Sequence, residues 1–174
     1  NSIIHKAIIK FLAEELIKET KVGNIILYNL NLENNLVFSY FNIIINQNIS
    51  NLVKSILKII KEELSNIPFI SIVVFGSYAE GKQKDKSDMD IAIFVNLSED
   101  KENCKLAMKS AELKSILKLD IHVITKDEML QMLKDKHENL GKQIAYKHLA
   151  IQNPMIFYQI IQEGINNGFK IIYS

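Results

Sequence analysis

Asp88 and Asp90 stand at the entrance to the apolar run Ile91 to Val95, and Asp120 interrupts a second apolar run, Leu119 to Ile124. Short, continuous, β-branched runs of this kind read as buried strands. Strand side chains alternate with period two, so Asp88 and Asp90 are expected on one face. At about 5 Å and an effective dielectric near 20, each like-charge pair costs roughly 3 kcal/mol. A positive group should offset that cost, and the usual agent is a divalent cation with oxygen ligands, Mg2+ or Mn2+. An Asp inside an apolar strand is rarely buried without a partner. Set on a neighbouring strand, Asp120 would complete a three-carboxylate cluster.

Upstream, a third strand is expected over Ile70 to Phe75, and it stops at Gly76-Ser77. Gly76 permits a tight turn and a close approach of ligand to backbone. Ser77 offers a hydroxyl and an N–H at the start of a short helix, where phosphate is well received. Phosphate groups at one end and metal-binding carboxylates at the other imply a nucleoside triphosphate with magnesium. In such chemistry two ions roughly 4 Å apart activate the attacking oxygen and stabilise the leaving one. Between the two motifs runs the loop EGKQKDKS, Glu80 to Ser87. Lys82 and Lys86 are candidates for the triphosphate and Ser87 for orienting Asp88; the alternative is a solvated loop.

Gly76-Ser77, ten residues, then Asp88-Met89-Asp90 resembles the GS-x10-D-x-D signature of the DNA polymerase β superfamily of nucleotidyltransferases. Asp120 falls where that superfamily carries its third carboxylate. The downstream stretch NLGKQIAYKHLAIQNPMIFYQII resembles the tail of the minimal nucleotidyltransferases, MNT proteins that are the antitoxin partners of HEPN ribonucleases. The resemblance covers roughly residues 50 to 170, and GS…DxD with a third Asp is specific where a lone D-x-D would be weak. It implies transfer of a nucleoside monophosphate, AMP from ATP first, to a hydroxyl. Asp88 and Asp90 would hold both metals, Asp120 would ligate the catalytic one and help take the acceptor's proton, and Gly76 and Ser77 would hold the β- and γ-phosphates. The acceptor it suggests is a tyrosine of a HEPN-type toxin. Related enzymes often carry a basic residue where Glu80 stands.

With 174 residues, 48% of them hydrophobic, the chain can bury one ordinary core and a small appendage. Its net charge of +1 argues for no particular partner. All 21 basic residues are Lys, so a triphosphate must be met by point charges rather than by a bidentate Arg clamp. Cys104 is the sole cysteine, which excludes an internal disulfide and fits a reducing compartment. Lys6, Lys10, Glu14 and Glu15 break up the apolar start, so no signal peptide is expected. No apolar run approaches the ~20 residues of a membrane span. A soluble, cytoplasmic protein without membrane contact is expected.

The chain begins on Asn rather than Met and is expected to lack its natural start. Ile4, Ala7, Ile8, Phe11, Leu12 and Leu16 predict an amphipathic helix over about 2–17. Two strand-like pieces then flank Gly23-Asn24, a dipeptide suited to a hairpin. Helix followed by hairpin resembles the recognition helix and wing of a winged helix-turn-helix domain, here truncated to residues 1–32. On that reading Ser2, His5, Lys6, Lys10 and Lys21 would contact DNA; otherwise helix and hairpin only pack on the rest. Residues 33–49 are expected to form a connector helix with the stripe Leu36, Val37, Tyr40, Phe41, Ile44 and Ile45, or a homodimer contact.

Residues 50–174 are then an α/β (α+β) nucleotidyltransferase domain, a short mixed sheet flanked by helices. It opens with a helix over 51–64 capped by Ser50. A later helix over 101–115 is expected to turn Leu106, Ala107, Ser110 and Leu113 inward, with Cys104 structural. Thr125 should cap a helix over 126–134, 140–151 shows no clean period, and Pro154 should open a last helix. His122 could assist proton transfer but reads first as structural, and Tyr146 and Tyr158 could line a base pocket or sit in the core. Two other functions stay open: a DNA-binding regulator whose transferase pocket senses nucleotide, and, last, transfer to a small molecule such as an aminoglycoside.

Overall fold

The computed structural model describes residues 2–67 and 71–170, so Ile70 of the first predicted core strand lies outside the described residues. The chain divides into two units, Asn1–Asn46 and Gln47–Ser174.

The first unit contains α1 (Ile3–Ala13), β1 (Ile17–Val22), β2 (Ile25–Leu30) and most of α2 (Asn35–Asn48), which runs past its end. Ser2 caps α1, its hydroxyl accepting from His5 N–H at 3.2 Å. The helix ends earlier than its apolar spacing predicts. Glu15 turns into the left-handed region at φ 54°. The side-chain amides of Asn31 and Asn34 then donate to the Glu15 and Glu14 carbonyls at 2.9 and 3.0 Å. The end of α1 is thus fixed by bonds from beyond the hairpin, which helical periodicity does not register. β1 and β2 pair antiparallel around Gly23, whose φ of 61° forms the turn. On α2 the inward face is rotated from the predicted stripe. Val37 and Phe38 are buried while Leu36 and Ile44 are half exposed, because Asn34 both caps Leu36 N–H and is tied to α1, fixing the phase of the helix.

The second unit is built on a four-stranded mixed sheet. Its elements are α3 (Asn51–Glu63), β3 (Ser71–Phe75), α4 (Gly76–Ala79), β4 (Met89–Val95), α5 (Ser98–Lys114), β5 (Leu119–Thr125), α6 (Lys126–Lys134), α7 (Leu140–Tyr146), β6 (His148–Gln152) and α8 (Pro154–Asn166). The strand order is β5-β4-β3-β6, with β4 and β5 parallel and the other pairs antiparallel. Helices cover both faces, which is why the core of β3 and β4 reads as continuous apolar runs rather than alternation. Val73, Phe75, Ala92 and Phe94 form one core with Met129 and Leu133 of α6, Ile144 of α7 and Phe157, Ile160 and Ile161 of α8. α3 brings Val53, Ile56, Leu57 and Ile60 inward and packs on α5. Ser50 caps α3, and Thr125 with Glu128 forms a complete capping box on α6.

Two local expectations are corrected. α5 buries Cys104, Met108 and Ala111 and leaves Leu106 and Leu113 largely exposed. It packs against α3, β4 and β5 through small or unbranched side chains, and its leucines fall on the outer phase. Residues 140–151 hold a short helix and a short strand, α7 and β6, joined at Lys147. Two elements of different period in so few residues leave no single periodicity to read.

Candidate active site

The strand directions gather four chain segments at one end of the sheet. β3 ends at Phe75, while β4, β5 and β6 begin there, with Phe75 opposite His148 and Asp90 opposite Asp120. Read across the sheet from β5 to β6, that end carries Asp120, Asp90, the Gly76 corner and Lys147.

Asp90 and Asp120 are register partners on parallel strands. Burial pushes the Asp90 carboxyl up, the charges of Asp120 and Asp88 push it further, and His122 pulls against them. Asp88 lies just before β4, and its Oδ2 accepts from the Lys118 ammonium; that bond lifts the Lys118 pKa. His122 Nε2 lies 3.3 Å from Asp120 Oδ1, and its ring leans on Phe75 at 5.9 Å. His122 thus contacts a candidate site residue, a relationship that periodicity alone could not distinguish from a structural histidine.

Gly76 adopts φ 64°, and a Cβ placed there would sit 2.2 Å from Asp90 Oδ2. The glycine therefore serves the adjacent carboxylate as well as the turn. Ser77 follows in α4 and is half-buried. Its carbonyl accepts from Lys82 N–H at 2.9 Å, folding the loop back on the corner. Ser87 closes a small turn, its hydroxyl accepting from Lys84 N–H at 2.9 Å, and its carbonyl receives Tyr78 OH at 3.5 Å. Ser87 thus shapes the loop that delivers Asp88. Lys86 is exposed. The Lys82 ammonium lies 3.3 Å from Glu80 Oε1, the oxygen that also accepts from Lys147. Lys147 was not visible as a site residue from sequence, because β6 was not. Its available signal was the short apolar run Leu149 to Ile151 ahead of Pro154.

Three oxygen-donor carboxylates at one sheet end, one of them raised by burial and then by its like-charged neighbours, suit a hard divalent cation. Among the described residues, no three Asp, Glu, His or Cys side chains converge into a ready-made metal centre. Asp88 is turned to Lys118 and Asp120 to His122.

The tyrosines belong to the core. Tyr146 stacks on Phe169. Tyr158 OH donates to His148 Nε2 at 3.0 Å, while His148 Nδ1 bonds the Ile144 carbonyl at 3.0 Å. Burial pushes the His148 imidazole down to about 4 and the Tyr158 phenol up to about 12. Cys104 is buried with its thiol pushed up to about 11, a structural residue. Ser2, His5, Lys6, Lys10 and Lys21 are all exposed on α1 and β1; Ser2 is occupied as a cap, and Lys10 lies 3.7 Å from Glu14. No helix among the described residues is long and apolar enough to cross a membrane.

This fold and sheet end define an enzyme that transfers nucleotides. The sequence profile of the nucleotidyltransferase domain matches residues 53–147, more than half of the chain, and the protein belongs to that family. A Methanocaldococcus jannaschii protein that bears the name "putative protein adenylyltransferase" is 38% identical over 78 residues, which are 44% of this chain and 88% of that one. A chain from a crystal structure of a toxin–antitoxin with AMP-PNP aligns over 68% of this chain and 86% of its own. The two are 22% identical, with a TM-score of 0.40.

Proposed function

We propose that this enzyme moves AMP from ATP to a protein hydroxyl, a tyrosine of a partner toxin of HEPN type, with a divalent metal. The observation that carries the reading is the register pair Asp90 and Asp120 beside the Gly76 corner. The name of the archaeal relative supports adenylyl transfer to protein, and the tail resemblance supports the antitoxin role. Mg2+ or Mn2+ held by Asp88, Asp90 and Asp120 would supply positive charge to the phosphoryl oxygens.

The chain's own residues supply the rest. The Gly76 turn lets the β- and γ-phosphates approach the backbone, and the Ser77 hydroxyl donates to them as charge grows there. The acceptor oxygen bonds to the α-phosphorus, the bond from that phosphorus to the bridging oxygen breaks, and pyrophosphate leaves. Asp120 receives the acceptor's proton; it is the most exposed of the three carboxylates and hence the one open to an incoming hydroxyl.

The test is incubation of the full chain with magnesium and ATP labelled at the α-phosphate, beside lysate of the source cell, followed by detection of labelled protein. Label should transfer from the α position and not from the γ position, and Asp90→Asn should abolish it. Transfer from the γ position would overturn the reading.

A second reading, a DNA-binding regulator that senses nucleotide, is favoured by one observation: α1 leads into the β1–β2 hairpin with Lys6, Lys10 and Lys21 exposed.

A further inference from the structure

We propose that Lys147 binds the triphosphate of the nucleotide, and that Glu80 holds its ammonium in place until the nucleotide arrives. The proposal rests on the reading that the Gly76 corner receives a triphosphate. Its starting point is the order of charges at the sheet end. Both acidic strands, β5 and β4, lie on one side of Gly76; β6 lies on the other. The Phe75–His148 pair is the last of the β3–β6 ladder, so Lys147, one residue earlier in the chain, stands beside Gly76. Strand spacing puts β6 about 5 Å from β3, well within the reach of a lysine.

Lys147 differs from the loop lysines in how it is held. Its N–H bonds the Gln143 carbonyl at 3.3 Å, and Ile144, Ala145 and Ala150 on either side are buried. His148, next in sequence, is fixed by Ile144 and Tyr158. Lys82 and Lys86 stand in an exposed loop. An ammonium on an anchored backbone loses less conformational freedom on binding.

The Lys147 ammonium donates to Glu80 Oε1, and the Lys82 ammonium lies 3.3 Å from the same oxygen. Two cations share one carboxylate, so the cluster carries an unneutralised positive charge beside the corner. The hydrogen bond from Lys147 holds the Glu80 carboxyl below the usual range, so Glu80 stays anionic at neutral pH and mimics one phosphate charge. Glu80 itself caps α4, its N–H donating to the Gly76 carbonyl at 3.2 Å. A triphosphate offers several such charges and would draw both ammonium groups from Glu80. The chain has no arginine, so these lysines are its means of meeting that charge.

The experiment measures binding of a non-hydrolysable ATP analogue and of adenosine to the full chain in magnesium, by calorimetry, for wild type, Lys147→Met, Lys147→Arg and Glu80→Gln. Lys147→Met should weaken the analogue tenfold or more and leave adenosine unchanged, and Lys147→Arg should restore most of the loss. Glu80→Gln should tighten the analogue several-fold, because it frees both ammonium groups. If wild type binds the analogue and neither Lys147→Met nor Glu80→Gln changes its affinity, while those two lower the melting temperature, the pair is only a fastener and the proposal fails. If wild type binds no analogue, the triphosphate site itself is wrong and the proposal falls with it.

Discussion

The Asp90 carboxylate occupies the space that a side chain on Gly76 would need: Oδ2 lies 2.2 Å from where a Cβ would stand. Gly76→Ala must therefore displace Asp90 while also straining a backbone at φ 64°. Ser77→Ala removes one charge-assisted hydrogen bond, worth roughly 1–3 kcal/mol, or about tenfold to a hundredfold in rate. Transfer rates should fall in the order wild type, Ser77→Ala, then Gly76→Ala. Gly76→Ala should also lower the melting temperature, which Ser77→Ala leaves nearly unchanged.

Asp90 is raised by burial first and by Asp120 next. The folded protein keeps this proton at a pH where the unfolded chain has released it. Its contribution to stability is therefore complete below the ordinary aspartate pKa and is lost as pH rises through the raised folded value. In chelator at pH 7, Asp90→Asn should melt higher than wild type, and the difference should vanish as pH falls toward about 4. The same variant should transfer no nucleotide. A lower melting temperature at pH 7 would mean that Asp90 is a structural group.

Lys118 is paired with Asp88, and a metal ligated by Asp88 would have to displace it. Lys118→Met should therefore lower the magnesium concentration that gives half-maximal transfer. A magnesium titration of the rate reads this directly, and an unchanged midpoint would count against Asp88 as a ligand.

His148 is held neutral, with its pKa at about 4 against an ordinary 6.5. Unfolding lets it take up a proton throughout that window, so stability is full above the ordinary value and declines as pH falls through the window toward the folded value. The loss is at most roughly 3 kcal/mol. Chemical denaturation of wild type should show this slope between pH 6.5 and 4, and His148→Phe should flatten it. Tyr158→Phe should cost about 1–3 kcal/mol by leaving Nε2 without its donor.

If the first unit binds DNA, gel shifts with the full chain should weaken steeply with salt, since each lysine on a phosphate releases a counterion. Replacing Lys6, Lys10 and Lys21 together should abolish the shift at low salt. No shift for wild type at low salt would retire the regulator reading.

The acid half of the sheet end was legible in the sequence because each of its pieces is local. A β-branched run announces β3, β4 and β5, and an Asp inside such a run is costly enough to be noticed. The glycine turn and the capping residues Ser50 and Thr125 were legible for the same reason. Less legible was whatever depends on contacts between distant segments. Glu15 and Asn31 decide where α1 stops. The inner phase of α5 follows its packing against α3 and β5, not the placement of leucines. Glu80 meets its partner only where β6 brings Lys147 to it, a contact between segments distant in sequence.

The place of β3 in the sheet has a consequence for the protein during its synthesis. β3 is flanked by β4, made soon after it, and by β6, made only after α5, β5, α6 and α7 have left the ribosome. A nascent chain that has passed β5 can already pair β3, β4 and β5 and set Asp90 beside Asp120, yet β3 still has a bare edge. That edge is hydrophobic and open to any strand that meets it. The segment from α6 to α8 therefore closes the sheet as well as covering its core. A chain that ends before His148 carries the carboxylates but leaves the sheet unfinished, so the arrival of β6 decides between a closed sheet and a sticky intermediate.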